Sequence, residues 1–388
     1  MASHKRYVRL YRTLQFLLGP LLCQVLGFRA PRCDVPSAPY LLVSNHNTDF
    51  DPIFLGATFR QHMYFVASEH VFRRGLASKL LTSVFAPIAR VKGASDAAAA
   101  RSILRRLRSD ANVCLFAEGN RSFNGVTGPI YPATGKLVKS AGVTLVTYRI
   151  RGGYLASPRW SARRRRGPIE GELMNVYTPE MLRAMRPEEV NAAITRDLYE
   201  DAFARQAQQM RRYPGRRLSE YLERALYVCP DCGRIGTLKS RGDRFFCPCG
   251  LNLRYSETGF FEGAQVPFST VRDWDVWQEE RMAALAEMLP ENPVFFDDNV
   301  RLLRLLDGHE SEILETGRLS ISAREIVSGG RSFPLASISG MALCAAARIV
   351  LSTDDGGSYE LTAPPPFCGR KYMTFFEKLK EVRESHAV

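Results

Sequence analysis

Short apolar runs alternate with helical patterns between residues 40 and 150, and this alternation constrains the fold more than any other feature. The apolar runs that we predict to be buried strands are 40–44, 63–67, 113–116 and 144–148. Residues 96–108 lie between the second and third runs and place Ile103, Leu104 and Leu107 on one helical face. Strands that alternate with helices predict an α/β fold with helices layered on a largely parallel sheet, whose strand ends bind ligands.

The chain has 388 residues, which is more than one compact core usually covers, so we expect two or three domains. Its composition, 45% hydrophobic and 24% charged, excludes a disordered or fibrous protein. Lys and Arg number 53 against 40 Asp and Glu, which gives a net charge of +13. This excess favours an anionic partner, namely phospholipid head groups, an acidic carrier protein or nucleic acid, without choosing among them.

Two polar loops that follow apolar runs carry the side chains of a candidate active site. The first loop contains His46 five residues before Asp51. A histidine is a base at neutral pH, and a carboxylate can orient its ring. Asp51 also precedes Pro52, a pair that commonly starts a helix, so a capping role for Asp51 is the alternative interpretation.

The second loop, residues 116–122, overlaps the end of the third apolar run. A glycine there lets backbone amides approach an anion, and an arginine offers a planar pair of donors to a phosphate. The candidate binding residues of this loop are Glu118, Gly119, Arg121 and Ser122. Together the two loops suit a substrate that carries both a hydroxyl group and a phosphate.

The two loops resemble the H-x4-D and F-P-E-G-T-R-S-like signatures of the glycerolipid acyltransferases, specifically the 1-acyl-sn-glycerol-3-phosphate (lysophosphatidate) acyltransferases. The resemblance spans roughly residues 35–175 and includes 88–90 and 144–146, which are similar to two further blocks of that family. It implies that His46 is the base and that Asp51 orients it. It also implies that the second loop binds the phosphate of the acceptor, together with cations outside the loop. The candidates for those cations are Arg90 and Lys136.

The resemblance implies transfer of a fatty acyl group from acyl-CoA or acyl-carrier protein to the sn-2 hydroxyl of lysophosphatidate. A thioester is already activated, and no G-x-S-x-G motif supplies a serine nucleophile, so we expect direct attack by the acceptor. Cys114 lies within an apolar run and is expected to be a buried thiol. Ala117 and Asn120 replace the Pro and Thr usual in the second signature, which leaves the acceptor open. Glycerol-3-phosphate or another lysophospholipid is the nearer alternative, and a non-catalytic lipid-binding or nucleic-acid-binding protein is the more distant one.

Four cysteines form two pairs that resemble the knuckles of a zinc ribbon: Cys229, Cys232, Cys247 and Cys249. Four thiolates are a structural zinc set, although the ligands alone also allow iron. Zinc ribbons occur in nucleic-acid-binding proteins, but nothing in the chain resembles a recognition helix or a stacking platform. The basic run 163–166, which follows Trp160, is instead compatible with an anionic bilayer or with a solvated loop.

The apolar stretch 14–28 follows four basic residues and is interrupted by Gly19 and Pro20. It is shorter than the ~20 residues that span a bilayer. We therefore expect a helix-break-helix in the membrane interface, with a buried core helix as the alternative. A zinc-type cysteine cluster favours a reducing compartment, so the expected location is cytoplasmic, on anionic phospholipid at the inner face of the cell membrane.

The expected fold is therefore an α/β acyltransferase-like layered sheet with added modules. The predicted domains are an interfacial helix (1–30), the catalytic domain (31–177), a helical linker (178–228), the zinc ribbon (229–256) and a C-terminal β domain (296–388). The last domain contains strand-like runs and one closing helix, and it resembles a pleckstrin-homology-like β barrel. The residues that share one face of this helix are Tyr372, Phe375, Phe376 and Leu379.

Overall fold

The structure is a computed structural model that describes residues 2–35, 38–68, 86–90, 97–306 and 310–386. Its internal contacts divide the chain into two compact units. The first unit comprises residues 1–91, 95–159 and 164–214, and the second comprises 92–94, 160–163 and 215–388.

Strands and helices alternate along the first unit. Its strands are β1 (Phe28–Arg29), β2 (Tyr40–Ser44), β3 (Met63–Ser68), β4 (Ile88–Arg90), β5 (Asn112–Phe116), β6 (Thr144–Arg151) and β7 (Ile169–Tyr177). Its described helices are α1 (Ala2–Leu26), α2 (Asp51–Thr58), α3 (Ala97–Leu107), α4 (Ala133–Ala141), α5 (Gly153–Ala156), α6 (Pro179–Ala184), α7 (Pro187–Leu198) and α8 (Ala202–Gln209). The α/β fold predicted from the apolar runs is confirmed.

The seven strands form one sheet in the order β1-β7-β6-β2-β5-β3-β4. Only the β6–β7 pair is antiparallel, and the other neighbours run parallel. Every residue of the central strand β2 is buried, as its unbroken apolar run predicts. The last residues of β2 and β5 are partners in the ladder, Ser44 opposite Phe116, so the two predicted loops leave the same edge side by side.

The helices after β7 belong to the core of the first unit. Buried side chains of α7 join a cluster with Val138 of α4 and Leu145 of β6. Those α7 residues are Val190, Ala193, Ile194 and Leu198. The segment 178–228 was expected to be a helical linker, but α7 within it packs on the sheet through its apolar side. Thr178 caps α6 by accepting from the Met181 amide, as the Thr-Pro-Glu start predicts.

The N-terminal segment is one helix, and the predicted break at Gly19 and Pro20 is wrong. Tyr11 donates its hydroxyl to the Gly56 carbonyl at 3.3 Å, and Gln15 donates to the same carbonyl at 2.6 Å. A Cβ at Gly19 would lie 3.6 Å from the Cβ of Ala57, so the helices pack closely there. Packing against α2 thus extends to the position where the isolated sequence would break. No described helix is both long and apolar enough to cross a membrane.

The second unit contains two antiparallel sheets. The strands of the smaller sheet, in the order β11-β10-β9-β8, are β8 (Lys239–Arg241), β9 (Arg244–Phe246), β10 (Asn252–Tyr255) and β11 (Phe261–Glu262). The strands of the larger sheet are β12 (Phe295–Leu305), β13 (Ser311–Ile321), β14 (Glu325–Ser328), β15 (Arg331–Pro334), β16 (Ile338–Cys344), β17 (Arg348–Thr353) and β18 (Ser358–Thr362). The helices are α9 (Val271–Glu287) and α10 (Gly369–His386).

The larger sheet has the order β15-β14-β13-β12-β18-β17-β16, so its first and last strands in the chain are neighbours. Helix α10 buries the apolar face that the sequence predicts, comprising Tyr372, Phe375, Phe376 and Leu379. The antiparallel sheet and the closing helix are thus as expected. The more specific pleckstrin-homology-like barrel stays a prediction.

Two side chains of the segment 160–166, Trp160 and Arg165, are buried. Trp160 is fully buried and packs edge to face on Tyr255, with ring centroids 5.7 Å apart. Arg165 is also buried, and its amide donates to the Ala156 carbonyl at 2.7 Å. The tryptophan and one of the four arginines are therefore unavailable to a membrane, whereas Arg163 and Arg166 are exposed, and the role of the basic run at an anionic bilayer stays a prediction.

Candidate active site

The first loop is organised around the buried carboxylate of Asp51. Its Oδ2 accepts from the backbone N–H groups of Asn47 at 2.7 Å and Thr48 at 2.9 Å. Its Oδ1 accepts from the Thr48 hydroxyl at 2.6 Å. Asp51 begins α2, but the N-cap is Phe50 and no side-chain cap is formed. The alternative capping role is therefore wrong, because the carboxylate turns back into the loop.

His46 completes this arrangement, with its Nδ1 2.8 Å from Asp51 Oδ2. That oxygen already accepts two backbone N–H groups, so it acts as the acceptor for the ring as well. The proton therefore lies on Nδ1, and Nε2 is the basic nitrogen. The ring stacks on Phe116 with centroids 4.2 Å apart, and 21% of the side chain is exposed. The imidazole is thus fixed in orientation while its site remains open to solvent.

Two asparagines that sequence reasoning missed anchor the first loop to β6. Asn45 donates through Nδ2 to the Ile150 carbonyl at 2.8 Å and accepts from the Ile150 amide at 2.7 Å. Asn47 donates to the same carbonyl at 2.9 Å. Gly153 makes room for this contact, since a Cβ there would lie 2.8 Å from the Cβ of Asn47. In the sequence, the signal that could have identified Asn45 is a polar amide that directly follows a predicted buried strand.

Glu118 joins the second loop to the first through the backbone. Its Oε1 accepts from the His46 amide and its Oε2 from the Gly128 amide, both at 2.6 Å. The side chain is buried, and the two oxygens are used inside the protein. Glu118 therefore positions the histidine loop, and its predicted contact with the phosphate-bearing acceptor stays a prediction beside this role.

Gly119 and Ser122 shape the turn of the second loop. Gly119 has a φ of 68°, in the left-handed region that favours glycine, and its amide donates to the Phe116 carbonyl at 3.1 Å. The Ser122 hydroxyl accepts from the Gly125 amide at 2.9 Å and donates to Asn124 Oδ1 at 3.3 Å. Their predicted contacts to substrate remain predictions beside these local roles.

Arg121 is the cation that the structure places between the loops. Its Nε donates to the Asn47 carbonyl at 3.2 Å and its Nη2 to the Ser157 carbonyl at 2.9 Å. Its Nη1 lies 2.8 Å from Oδ2 of Asp49. Buried Arg159, also missed from the sequence, supports the loop by donating to the Arg121 carbonyl at 2.9 Å. Arg121 thus already holds a carboxylate at the predicted anion site.

Two predicted cations, Arg90 and Lys136, lie outside the two loops in sequence. Arg90 is the last residue of β4, and its side chain lies outside the described part of the structure. Lys136 is exposed on α4, and among the described residues no hydrogen bond or ion pair joins its side chain to His46 or Arg121. Their roles in binding the acceptor stay predictions.

The four predicted metal ligands come together in the second unit. The Sγ atoms of Cys229, Cys232, Cys247 and Cys249 all lie within 4.8 Å of one another. Two of these separations are 3.6 Å, from Cys229 to Cys249, and 3.8 Å, from Cys232 to Cys247. A regular tetrahedron with Zn–S bonds of about 2.3 Å has S–S edges of about 3.8 Å. The residues present therefore fit one tetrahedral ion.

Burial perturbs two titratable groups beside the histidine. Burial raises the pKa of Glu118 from 4.5 to about 8, although the Gly128 and His46 amides act in the opposite direction. Burial, and to a smaller extent the charge of Asp51, also raises the pKa of the Cys114 thiol. Cys114 is therefore a protonated core residue at neutral pH, as its apolar run predicts.

The part of the chain that carries both loops matches a known protein family. Residues 30–151, which include both loops, match the family model described as Acyltransferase. Among solved structures, the chain is similar to the crystal structure of the 1-acyl-sn-glycerophosphate (LPA) acyltransferase PlsC from Thermotoga maritima. The two are 16% identical, with 52% of this chain and 79% of that chain covered and a TM-score of 0.42, a likeness too low to carry an argument. Comparison with curated proteins finds no match.

The raised pKa of Glu118 predicts a pH-dependent stability. The native state binds the Glu118 proton more tightly than the unfolded chain does, so between pH 4.5 and about 8 this group's contribution to the free energy of unfolding falls as pH rises. Glu118→Gln removes the titration. Urea unfolding followed by circular dichroism should therefore show a shallower decline from pH 5 to pH 8 in this variant than in the wild type.

A matched control is Glu188→Gln, which changes the same charge at an exposed position on α7. It should keep the wild-type slope of unfolding free energy against pH. Equal slopes for Glu118→Gln and the wild type would contradict the buried, proton-binding state of Glu118.

Proposed function

We propose that this protein, whose residues 30–151 match the acyltransferase family model, transfers a fatty acyl group from acyl-CoA or acyl-carrier protein to the sn-2 hydroxyl of 1-acyl-sn-glycerol-3-phosphate. The observation that carries the proposal is the pair formed by His46 and Asp51 at 2.8 Å, placed at the strand ends of a parallel sheet. Arg121 stands at the same edge and supports a phosphate-bearing acceptor. The product would be phosphatidate.

In the proposed reaction, Nε2 of His46 takes the proton of the acceptor hydroxyl. The acceptor oxygen attacks the thioester carbonyl and forms a tetrahedral intermediate. Collapse of this intermediate restores the carbonyl group of the new ester and breaks the carbon–sulfur bond, and the leaving thiolate takes the proton back from His46. Asp51 holds the imidazole in the productive tautomer and stabilises the imidazolium that forms.

The two candidate nucleophiles near the loops, Cys114 and Ser122, are poorly placed to form an acyl-enzyme. Cys114 is fully buried within β5, and its pKa is raised, so it is neither accessible nor ionised. The Ser122 hydroxyl is engaged within its own turn. Neither side chain is suited to carry an acyl group, which supports attack by the acceptor itself.

The four-cysteine site is proposed to hold one structural zinc ion. Two turns present the thiols: the Gly233 amide donates to the Cys229 carbonyl at 2.9 Å, and the Gly250 amide donates to the Cys247 carbonyl at 3.1 Å. Both glycines have positive φ, which the turns require. A closed set of four thiolates leaves no position for substrate, so the ion would stabilise the second unit and take no part in catalysis.

Helix α1 supports a membrane partner through the side that does not face α2. Leu10, Leu17, Leu21 and Val25 recur along one side of this helix and are all exposed. Such a stripe, on a chain with a net charge of +13, suits an anionic phospholipid surface, which is also the source of a lysophospholipid substrate. The proposed location is the inner face of the cell membrane, in the cytoplasm where thiols stay reduced.

Replacement of the base should abolish transfer. His46→Ala and His46→Asn should each lower kcat by about 10² to 10⁴, which is the usual value of general-base assistance. His46→Asn serves as the control for loop structure, because its side-chain amide can still donate to Asp51. Transfer of a labelled acyl group from each donor to lysophosphatidate, glycerol-3-phosphate and other lysophospholipids is the measurement. Near-wild-type rates in both variants would refute His46 as the base.

Metal content should depend on the cysteine cluster. Purified protein should contain about one zinc per chain, and Cys249→Ser should lose it and lower the melting temperature. Cys23→Ser, which changes a cysteine of α1 in the other unit, is the matched control and should retain the metal. Elemental analysis also distinguishes zinc from iron. A wild-type protein that contains no metal and is as stable without it as with it would contradict the assignment.

Vesicle binding should depend on the exposed side of α1. Leu17→Asp combined with Leu21→Asp places two charges in the apolar stripe and should release the protein from vesicles that contain anionic phospholipid. Val276→Asp changes an exposed apolar residue of α9 and should leave binding intact. Flotation assays compare the two, and equal retention of both variants would move the membrane contact away from α1.

A further inference from the structure

Helix α3 presents three arginines to solvent along one side. Arg101, Arg105 and Arg108 are exposed and follow one another at the i, i+4 and i+7 positions. Arg108 directly follows the last residue of α3, and its amide still donates to the carbonyl four residues earlier. These three residues, the arginine stripe, extend for about 10 Å along the helix axis. The buried residues lie on the opposite side of the helix and are Ala99, Ile103 and Leu107.

No group in the described part of the protein forms a hydrogen bond or an ion pair with the guanidinium groups of the arginine stripe. Neither α3 nor the neighbouring α4 contains an acidic residue. Other helices pair such cations internally, as Arg183 pairs with Glu180 on α6 and Lys378 with Glu381 on α10. The helix dipole favours cations only in the last turn and does not account for Arg101, and like charges four residues apart destabilise a helix. The arginine stripe therefore suits an anionic partner.

The arginine stripe and helix α1 lie on opposite faces of the sheet. Side chains alternate along β2, and Leu41 and Val43 belong to the cluster that includes α3, α4 and α7. Tyr40, on the other face, lies against Phe59 at the end of α2, with ring centroids 6.2 Å apart, and α1 packs on α2. A flat bilayer bound to α1 therefore leaves α3 facing the aqueous phase.

We propose that the arginine stripe is the docking surface for a small acidic protein that carries the acyl group, an inference that rests on the proposed acyl transfer. An exposed helix face is convex and offers no cavity for the adenine of acyl-CoA, whereas a complementary protein surface can cover it. Helix α3 also contains no aromatic residue on which the bases of a single-stranded nucleic acid would stack. Of the two proposed donors, the arginine stripe thus favours acyl-carrier protein.

The arginine stripe begins toward the sheet edge that carries both loops. Strand β4 runs parallel to β3, and β3 runs parallel to β5, so β4 ends at the same edge as β2 and β5. Helix α3 lies between β4 and β5 in the chain and runs back along the sheet, so Arg101 lies nearer that edge than Arg108 does. A carrier protein docked on α3 can extend its thioester toward His46.

The experiment compares acyl-carrier protein and acyl-CoA as donors of the same labelled acyl group to the full-length protein. The test variant combines Arg101→Gln, Arg105→Gln and Arg108→Gln, since glutamine keeps the helix propensity. It should raise KM for acyl-carrier protein about tenfold, the combined effect of three exposed ion pairs, and leave kcat and the KM for acyl-CoA unchanged. Calorimetry with unacylated carrier protein should show the same loss of affinity, and added salt should weaken binding more in the wild type than in the variant.

A matched control removes three positive charges from exposed positions of the same unit away from α3. It combines Arg29→Gln, Arg32→Gln and Arg60→Gln. Strand β1, which contains Arg29, lies at the opposite edge of the sheet from β4. The control should keep the wild-type affinity for carrier protein, which separates a local docking surface from attraction by the net charge of +13. Arg101→Gln alone should raise the KM for acyl-carrier protein about twofold, which keeps the test valid if the triple variant is unstable.

Unchanged affinity for carrier protein in the α3 variant would overturn the inference, and so would an equal loss in the control or an equal loss with both donors. Loss of binding to anionic vesicles or to a single-stranded oligonucleotide, with carrier binding intact, would assign the arginine stripe to that partner instead. The binding measurement needs no acyl transfer. An inactive protein that binds carrier protein through α3 refutes the proposed function alone, and an active protein whose carrier binding does not depend on the arginine stripe refutes the docking surface alone.

Discussion

Two buried carboxylates hold the candidate active site together. Asp51 accepts hydrogen bonds from the His46 ring and from two amides of its own loop. Glu118, in the neighbouring loop, accepts a hydrogen bond from the His46 amide. A buried acidic side chain must find hydrogen-bond partners inside the protein, so each one fixes the backbone amides that donate to it. The histidine is therefore fixed through both its ring and its peptide group, which is the preorganisation that proton transfer requires.

The parts of the structure that follow from local pattern were predictable. The run 40–44 became the fully buried strand β2 because its side chains are mostly apolar, with Leu41, Leu42 and Val43 at its centre. His46 and Asp51 lie five residues apart in one loop, so their contact needed only that loop to turn. The cysteine pairs were equally local, since each pair sits on a short turn. The paired strand ends then placed the second loop beside the first, as the chain order of a parallel sheet implies.

The features that the sequence did not predict depend on contacts between residues that are far apart in the chain. Glu118 lies 72 residues from His46 in sequence, so nothing nearby marks it as a support for that peptide instead of a ligand for phosphate. Trp160 was assigned to a surface and is buried against Tyr255, since its burial depends on a strand that comes much later. Gln15 binds α2, and such tertiary contacts overrode the break expected at Pro20.

Intact-mass spectrometry, combined with a product assay, shows whether the acyl group passes directly from the thioester to a hydroxyl group. The protein is incubated with labelled acyl-CoA, or with acyl-carrier protein, first alone and then with lysophosphatidate. Direct transfer predicts that no acyl adduct forms on the protein and that labelled phosphatidate appears once the acceptor is added. A stable acyl-enzyme formed without acceptor would contradict direct attack, and no ester product from either donor with any tested acceptor would contradict the proposed reaction.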